Sequence, residues 1–325
     1  MPLELEAPTT PRQRADALRV ALVNNMPDTA LKATESQFAN LLAAASGALR
    51  VRLRLTYLPE VPREPPALAT IAESYWPLER VMEDAPDAII VTGTEPRASE
   101  LEQEPYWPRL VQLLEWAQKR AASSIWSCLA AHAAVQALDG IRRRRLPEKR
   151  FGVFEHTPLR GMPLLAGVSA PLLTPHSRWN ELSVDELRAA GYTIASTSAH
   201  SGADMFVREE RGLMVCFQGH PEYESATLLK EYRRDVGRYL GGERELWPSL
   251  PCGYFSAEAL KTLEAFRLRA ERARDDALMD EFPQIELGKD SQAPWRPAAM
   301  HIYRNWLAYL AGARSGAHSQ RRVQV

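Results

Sequence analysis

From Arg19 to Ala137 short apolar runs alternate with stretches of helical periodicity, and few architectures accept that order. Leu18 to Asn24 (LRVALVN) reads as a strand apolar enough to be buried on both faces. Asn25-Met-Pro-Asp28 follows as a turn, with Asp28 or Thr29 able to cap the next helix. Helical spacing over Glu35–Ala45 sets Phe38, Leu41, Leu42 and Ala45 on one side, and Val51–Tyr57 reads as a second strand. Beyond a Pro-rich passage, the pattern predicts a helical segment near Leu68–Arg80 and a strand from Ala88 to Gly93. A helix over Tyr106–Arg120 and a short strand at Ser123–Ser127 follow. Repeated strand–helix alternation of this kind predicts an α/β fold, a doubly wound and mostly parallel sheet with helices on both faces.

The second half is richer in strands, at Phe151–Glu155, Thr193–Ser198, Asp204–Glu209 and Gly212–Phe217, before a long helix from Tyr223 to Leu240. The expected organisation is a mobile leader at 1–16, an α/β domain at 17–245, a helical extension at 246–311 packed on that domain, and a disordered polar tail at 312–325. The chain has 325 residues and a formal net charge of −1, which gives no electrostatic footprint for nucleic acid. Its densest basic run, Arg142 to Arg145, reads as a solvated loop between elements. No window approaches the apolar length of a membrane span, and the N-terminus has no apolar core of signal-peptide type. Three cysteines, Cys128, Cys216 and Cys252, have no metal-like spacing and cannot all pair, so a reduced, cytoplasmic chain without a metal is expected.

Cys128 stands where the strand Ser123–Ser127 meets the alanine-rich run LAAHAAV. A strand that feeds directly into a helix presents its last residue at the carboxyl edge of the sheet. The backbone N–H groups of the new helix point at the same spot, where they favour a thiolate or an oxyanion. Ser127 and Leu129 occupy places where glycines would relax such a turn. By itself this stretch fits a buried, space-filling thiol as well as a nucleophile. A second strand end, Val215-Cys-Phe-Gln-Gly-His-Pro-Glu-Tyr223, offers His220 and Glu222 two residues apart, on one side of an extended backbone that Pro221 stiffens. A carboxylate so placed can fix the imidazole tautomer and stabilise its cation. If both strands lie in one parallel sheet, Cys128, His220 and Glu222 form a constellation for acyl transfer at the edge where ligands bind.

Several segments, in order, resemble the homoserine O-acyltransferase family of the homoserine transsuccinylase type. They are VALVNNMPDTALKATESQFANLL, IIVTG with PYWPRL, EKRFGVFEH, TPHSRWNEL, GHPEYESATLLKEYRRDV and PWRPAAMHIYRNWLAYL. The resemblance implies a fold similar to the class I glutamine amidotransferase domain. It also implies Cys128 as acyl-accepting nucleophile, His220 as general base and Glu222 as its partner. Lys149, Ser177 and Arg234 match substrate-binding positions. Arg234, fourteen residues after His220 and about four helical turns on, is expected to return to the His-facing side and grip an α-carboxylate. The implied reaction moves the succinyl group of succinyl-CoA to the hydroxyl of L-homoserine in methionine biosynthesis, by a ping-pong route without a bound cofactor, in a homodimer. The backbone N–H groups of Leu129 and of the Thr92–Gly93 turn are candidate oxyanion donors.

Two departures from the family pattern bear on specificity. Where acetyl users carry glutamate and succinyl users glycine, this chain aligns Arg97, with Glu95 two residues earlier. A cation there would pair the free carboxylate of a succinyl group, which favours the succinyl donor over acetyl-CoA. His132 stands where the family commonly has glutamine and is expected to pack or hydrogen-bond. Serine as acceptor, acetyl-CoA as donor, and a glutamine-amidotransferase-like hydrolase are the competing readings.

Overall fold

In the strand Leu18–Val23 (β2), neighbouring side chains enter two different cores. Ala21 and Val23 pack with one set of helices, and Val20 and Leu22 with another. A strand can do this only in the middle of a covered sheet, which is why it reads as a continuous apolar run rather than an alternating one. The structure, a computed structural model, describes residues 3–4, 17–287 and 293–323.

Among the described residues the main sheet has eight strands. After β1 (Leu3–Glu4) and β2 come β3 (Val51–Thr56), β4 (Ala88–Val91), β5 (Ser123–Ser127), β8 (Thr193–Ile194), β11 (Met205–Glu209) and β12 (Leu213–Phe217), in the spatial order β1-β3-β2-β4-β5-β12-β11-β8. Pairings from β1 to β12 are parallel, while β11 and β8 are antiparallel to their neighbours. Helices α4 (Trp107–Arg120) and α5 (Leu129–Asp139) cover one face. Helix α1 (Leu31–Ala45) and the C-terminal α9 (Arg296–Val323) cover the other. This is the doubly wound, mostly parallel sheet that the alternation predicts.

A smaller antiparallel sheet, β10-β9-β6-β7, comprises β6 (Arg144–Pro158), β7 (Leu172–Glu181), β9 (Ser196–Ser198) and β10 (Gly202–Ala203). It stands over the carboxyl edge of the main sheet: the N–H of His220, just beyond β12, donates to the carbonyl of Pro175 in β7 at 2.8 Å. Helices α7 (Thr227–Leu240) and α8 (Ala257–Ala273) share a third core with Phe151 and Trp295.

Several elements depart from expectation. The helix expected near Leu68–Arg80 is two helices, α2 (Pro65–Ser74) and α3 (Leu78–Asp84), because Pro77 lacks the N–H that a helix interior requires. Thr193–Ser198 breaks at Ala195 into two short strands that join different sheets. Asp28 does not cap α1; its carboxylate instead accepts from the Glu64 N–H at 2.9 Å and pairs with Arg63 at 3.0 Å. The tail expected to be disordered from Gly312 continues α9 to Val323, anchored by Arg314, which donates to the Ala17 carbonyl at 2.6 Å. The leader expected at 1–16 lies outside the described residues except for Leu3 and Glu4, which pair with β3. Among the described residues no helix is long and apolar enough to cross a membrane.

Candidate active site

Strands β2, β4, β5 and β12 run parallel, so the residues that leave their carboxyl ends converge on one edge. After β2, the side chain of Asn25 receives the Leu58 N–H at 3.0 Å, and its own N–H donates to the Thr92 hydroxyl at 2.8 Å, locking the first turn to the turn after β4. After β5, Cys128 takes φ 53° and ψ −114°. For a side chain with a Cβ this region costs on the order of 1–3 kcal/mol, so the surroundings must hold it there. They do so through the Cys128 N–H, which donates to the Phe217 carbonyl of β12 at 2.7 Å, and through the His132 N–H, which donates to the Cys128 carbonyl. The elbow expected from the sequence is present without flanking glycines. Its glycine comes instead from the neighbouring turn: a Cβ on Gly93 would lie 2.9 Å from the Leu129 Cβ and 3.0 Å from its backbone nitrogen.

After β12 the chain turns at Gly219, where a Cβ would come within 2.6 Å of both Asp204 and Thr174. Directly after it, His220 and Glu222 are buried, with Nδ1 of His220 2.8 Å from Oε1 of Glu222. Tyr223 stacks on the imidazole with ring centroids 4.3 Å apart. Burial alone would depress the His220 pKa, but the charges of Glu222 and of a Cys128 thiolate outweigh it, so His220 is held well above its ordinary range. A Cys128 thiolate and Glu222 thus act on the same imidazole, which couples thiol, imidazole and carboxylate electrostatically.

These groups line a cavity of about 660 Å³. Lys149, Ser177 and Arg234 line it as well, so it gathers the catalytic and substrate-binding positions implied by resemblance, together with Gly93 and Leu129. Helix α7 begins only at Thr227, so about two turns, rather than four, carry Arg234 to the cavity. Asp235, which is buried, organises the cations: Lys149 Nζ lies 3.1 Å away, Arg234 Nη2 3.0 Å and Arg244 Nη1 3.4 Å. Burial would raise the Asp235 pKa, yet Lys149 and Arg234 hold it below the ordinary carboxylate value. Glu231 accepts from the Ser177 hydroxyl and from the Tyr223 phenol. Glu231, Asp235 and Arg244 were not singled out from the sequence. The spacing of Glu231, Arg234, Asp235 and Arg238 along one helix face is the signal that would have found the first two.

Arg97 lies in the loop that follows β4. Its N–H and that of Ala98 donate to Oε1 of buried Glu104 at 2.6 and 2.7 Å. This turns the loop so that Glu95 faces the Cys128 cavity, whereas Arg97 lines an adjacent depression. Glu95 there pairs with Arg238 at 3.5 Å. Arg97 is thus not among the residues that line the Cys128 cavity.

Behind the triad, His132 bonds Gln218 at 3.0 Å, and burial pushes its pKa down to about 3, so it packs as a neutral ring. Among the described residues, His156, His176 and Asp204 bring potential metal-ligand atoms within 4.8 Å of one another. However, Nδ1 of His176 accepts from Arg178 Nε at 3.2 Å. A neutral ring then carries its proton on Nε2, which faces Asp204 at 3.6 Å, so this nitrogen offers a donor rather than a lone pair.

Residues 3–315 match the family described as homoserine O-succinyltransferase. The chain belongs to the homoserine O-succinyltransferase family. A homoserine O-succinyltransferase of Rhodopseudomonas palustris is 45% identical over 297 residues, covering 91% of this chain and 89% of that protein. One from Bradyrhizobium japonicum is 45% identical over 295 residues, with 90% of each chain covered. Among solved structures, a glutamine amidotransferase from Methylobacillus flagellatus superposes with a TM-score of 0.54 at 15% identity, over 90% of this chain and 95% of that one. A glutamine amidotransferase from Thermotoga maritima gives 0.51 at 13% identity, covering 90% and 98%. At such identities the likeness is one of fold, and it places this homoserine O-succinyltransferase family member on the amidotransferase scaffold.

Proposed function

We propose that the chain transfers the succinyl group of succinyl-CoA to the hydroxyl of L-homoserine, a step of methionine biosynthesis, through an acyl-enzyme on Cys128. The observation that carries this reading is one cavity lined by Cys128, by the His220–Glu222 pair and by Lys149, Ser177 and Arg234. The family relatives named for this reaction support it.

In the first half-reaction the Cys128 thiolate attacks the thioester carbonyl. The bond to the CoA sulfur breaks, and CoA leaves as the thiol with the proton that His220 held. One thioester replaces another, so the step is close to balanced in energy. Acylation also removes the negative charge on Cys128, one of the two charges that hold the His220 pKa up. The neutral imidazole then accepts the homoserine hydroxyl proton as that oxygen attacks, and Cys128 departs as thiolate. Leu129, at the positive end of α5, and the closely apposed Gly93 supply N–H groups for the oxyanion. The Arg234 guanidinium and Lys149 hold the homoserine carboxylate, and no resident cofactor takes part.

Release of CoA from succinyl- or acetyl-CoA, with homoserine, serine or water as acceptor, tests the reading. Succinyl-CoA with homoserine should be the fastest pair. Acetyl-CoA or serine faster than these would reassign the substrate, and no release with any pair would overturn the transferase. The reading also includes a cytoplasmic homodimer. Sedimentation of the full chain should give twice the chain mass, and a monomer would refute that part.

A further inference from the structure

Most cations lining the Cys128 cavity have a carboxylate partner there. Lys149 pairs with Asp235 and Glu231, Arg234 and Arg244 also meet Asp235, and Arg238 meets Glu95 and Glu243. Glu222 is taken by His220. One lining cation stands outside this scheme among the described residues: Arg145, the last arginine of the basic run read from sequence as a solvated loop. Arg142 pairs with Glu100 and Glu102, and Arg144 with Glu186, all at the exposed surface. Arg145 is turned away from them. It sits in β6 just before the register shift between Arg145 and Arg150, and its Cζ lies 4.4 Å from the centroid of the Trp179 ring.

Trp179 lies two residues beyond Ser177 on β7, so both side chains project from the same face of the strand, about 7 Å apart along it. The Arg145–Trp179 stack is therefore one step outward from the patch that holds the amino acid. A cation–π contact spends no N–H donor, so the guanidinium fork stays available to grip a carboxylate or a phosphate oxygen pair. Homoserine brings a single carboxylate, for which Arg234 and Lys149 are already placed. The remaining anions of the reaction are those of the acyl donor.

We propose that Arg145, held on Trp179, binds an anionic group of the acyl donor, either a CoA phosphate or the free carboxylate of the succinyl group. This rests on the acyl-CoA reading above, and the two can fail separately. Steady-state kinetics of the wild type and Arg145→Met would measure KM for succinyl-CoA, KM for homoserine, and Ki for free CoA as product inhibitor. Arg145 is exposed, so the substitution leaves the three cores intact. Loss of a charge-assisted contact predicts a rise of about tenfold or more in KM for succinyl-CoA, with kcat and KM for homoserine changed less than about twofold. Arg145→Lys, which keeps the charge but lacks the fork, should recover part of the affinity. A parallel rise in Ki for CoA assigns the contact to a phosphate, and an unchanged Ki assigns it to the succinyl carboxylate. An unchanged KM for succinyl-CoA, or a rise confined to homoserine, overturns the proposal. Absence of any CoA release by the wild type would sink the transferase reading instead.

Discussion

Replacing Glu222 with glutamine keeps the shape of the triad and removes one charge. The carboxylate accepts from Nδ1 of His220 at 2.8 Å, and both groups are buried. Two unit charges about 4 Å apart interact by about 4 kcal/mol at an effective dielectric near 20. An amide whose oxygen faces Nδ1 retains the hydrogen bond and the tautomer, so part of this survives. A loss of about 2–4 kcal/mol corresponds to roughly a 30-fold to nearly 1,000-fold slower reaction. The effect should have a pH signature, because Glu222 is the foremost charge opposing the depression of His220 by burial. In Glu222→Gln the His220 pKa falls, and the pH–rate limb that reports it moves to lower pH. Stopped-flow acylation by succinyl-CoA, followed from pH 5 to 10, would measure both the rate and the limb. A variant within threefold of wild type, with its pH limb unmoved, would refute the role of Glu222 as the group that holds His220 charged.

Three further outcomes follow from the geometry. Asp235→Asn should lower stability by about 2–4 kcal/mol at pH 7 in denaturant unfolding, since it leaves Lys149 and Arg234 without their buried counter-charge. The Asp235 carboxyl is held below its ordinary range, so its contribution is fully present above about pH 4 and is lost as pH falls through the folded value. The variant should therefore show a flatter acid side of its stability curve. Arg97→Glu should leave the ratio of succinyl- to acetyl-CoA use within about twofold, a small effect by the usual scale of surface changes, because Glu95 and not Arg97 faces the cavity; a large shift would return Arg97 to the site. Trp306→Ala should cost about 3–5 kcal/mol, since the ring is fully buried and its indole N–H donates to the Ser123 hydroxyl at 2.9 Å. Unfolding should stay a single transition, whereas a separate early one would make α9 an independent unit.

The parts of the fold that were legible in the sequence are those where burial dictates residue type. Strands β2, β4 and β12 are apolar on both faces because helices cover both, and the two strand ends with the triad could be read from their turns. Strand β7 was missed because its residues serve the site rather than a core: Pro175, His176, Ser177 and Arg178 carry polar or constrained side chains where a strand pattern expects apolar ones. Helix α9 reads as disordered beyond Gly312 because its outer turns are polar, yet Ala and Arg suit a helix that is already nucleated. The placements of Arg97 and Arg145 were not legible, for one reason. Which way a loop side chain faces depends on distant anchors, Glu104 for one and Trp179 for the other, and local sequence does not contain them.

The central claim is that Cys128 carries the acyl group. Intact-mass measurement after mixing the full chain with succinyl-CoA, without acceptor, tests it most directly. A mass increase of one succinyl group, discharged on adding homoserine and absent from Cys128→Ala, is the predicted result. Acylation of Cys128→Ala at the wild-type rate, or CoA release that proceeds only when both substrates are present and leaves no labelled enzyme, would contradict it.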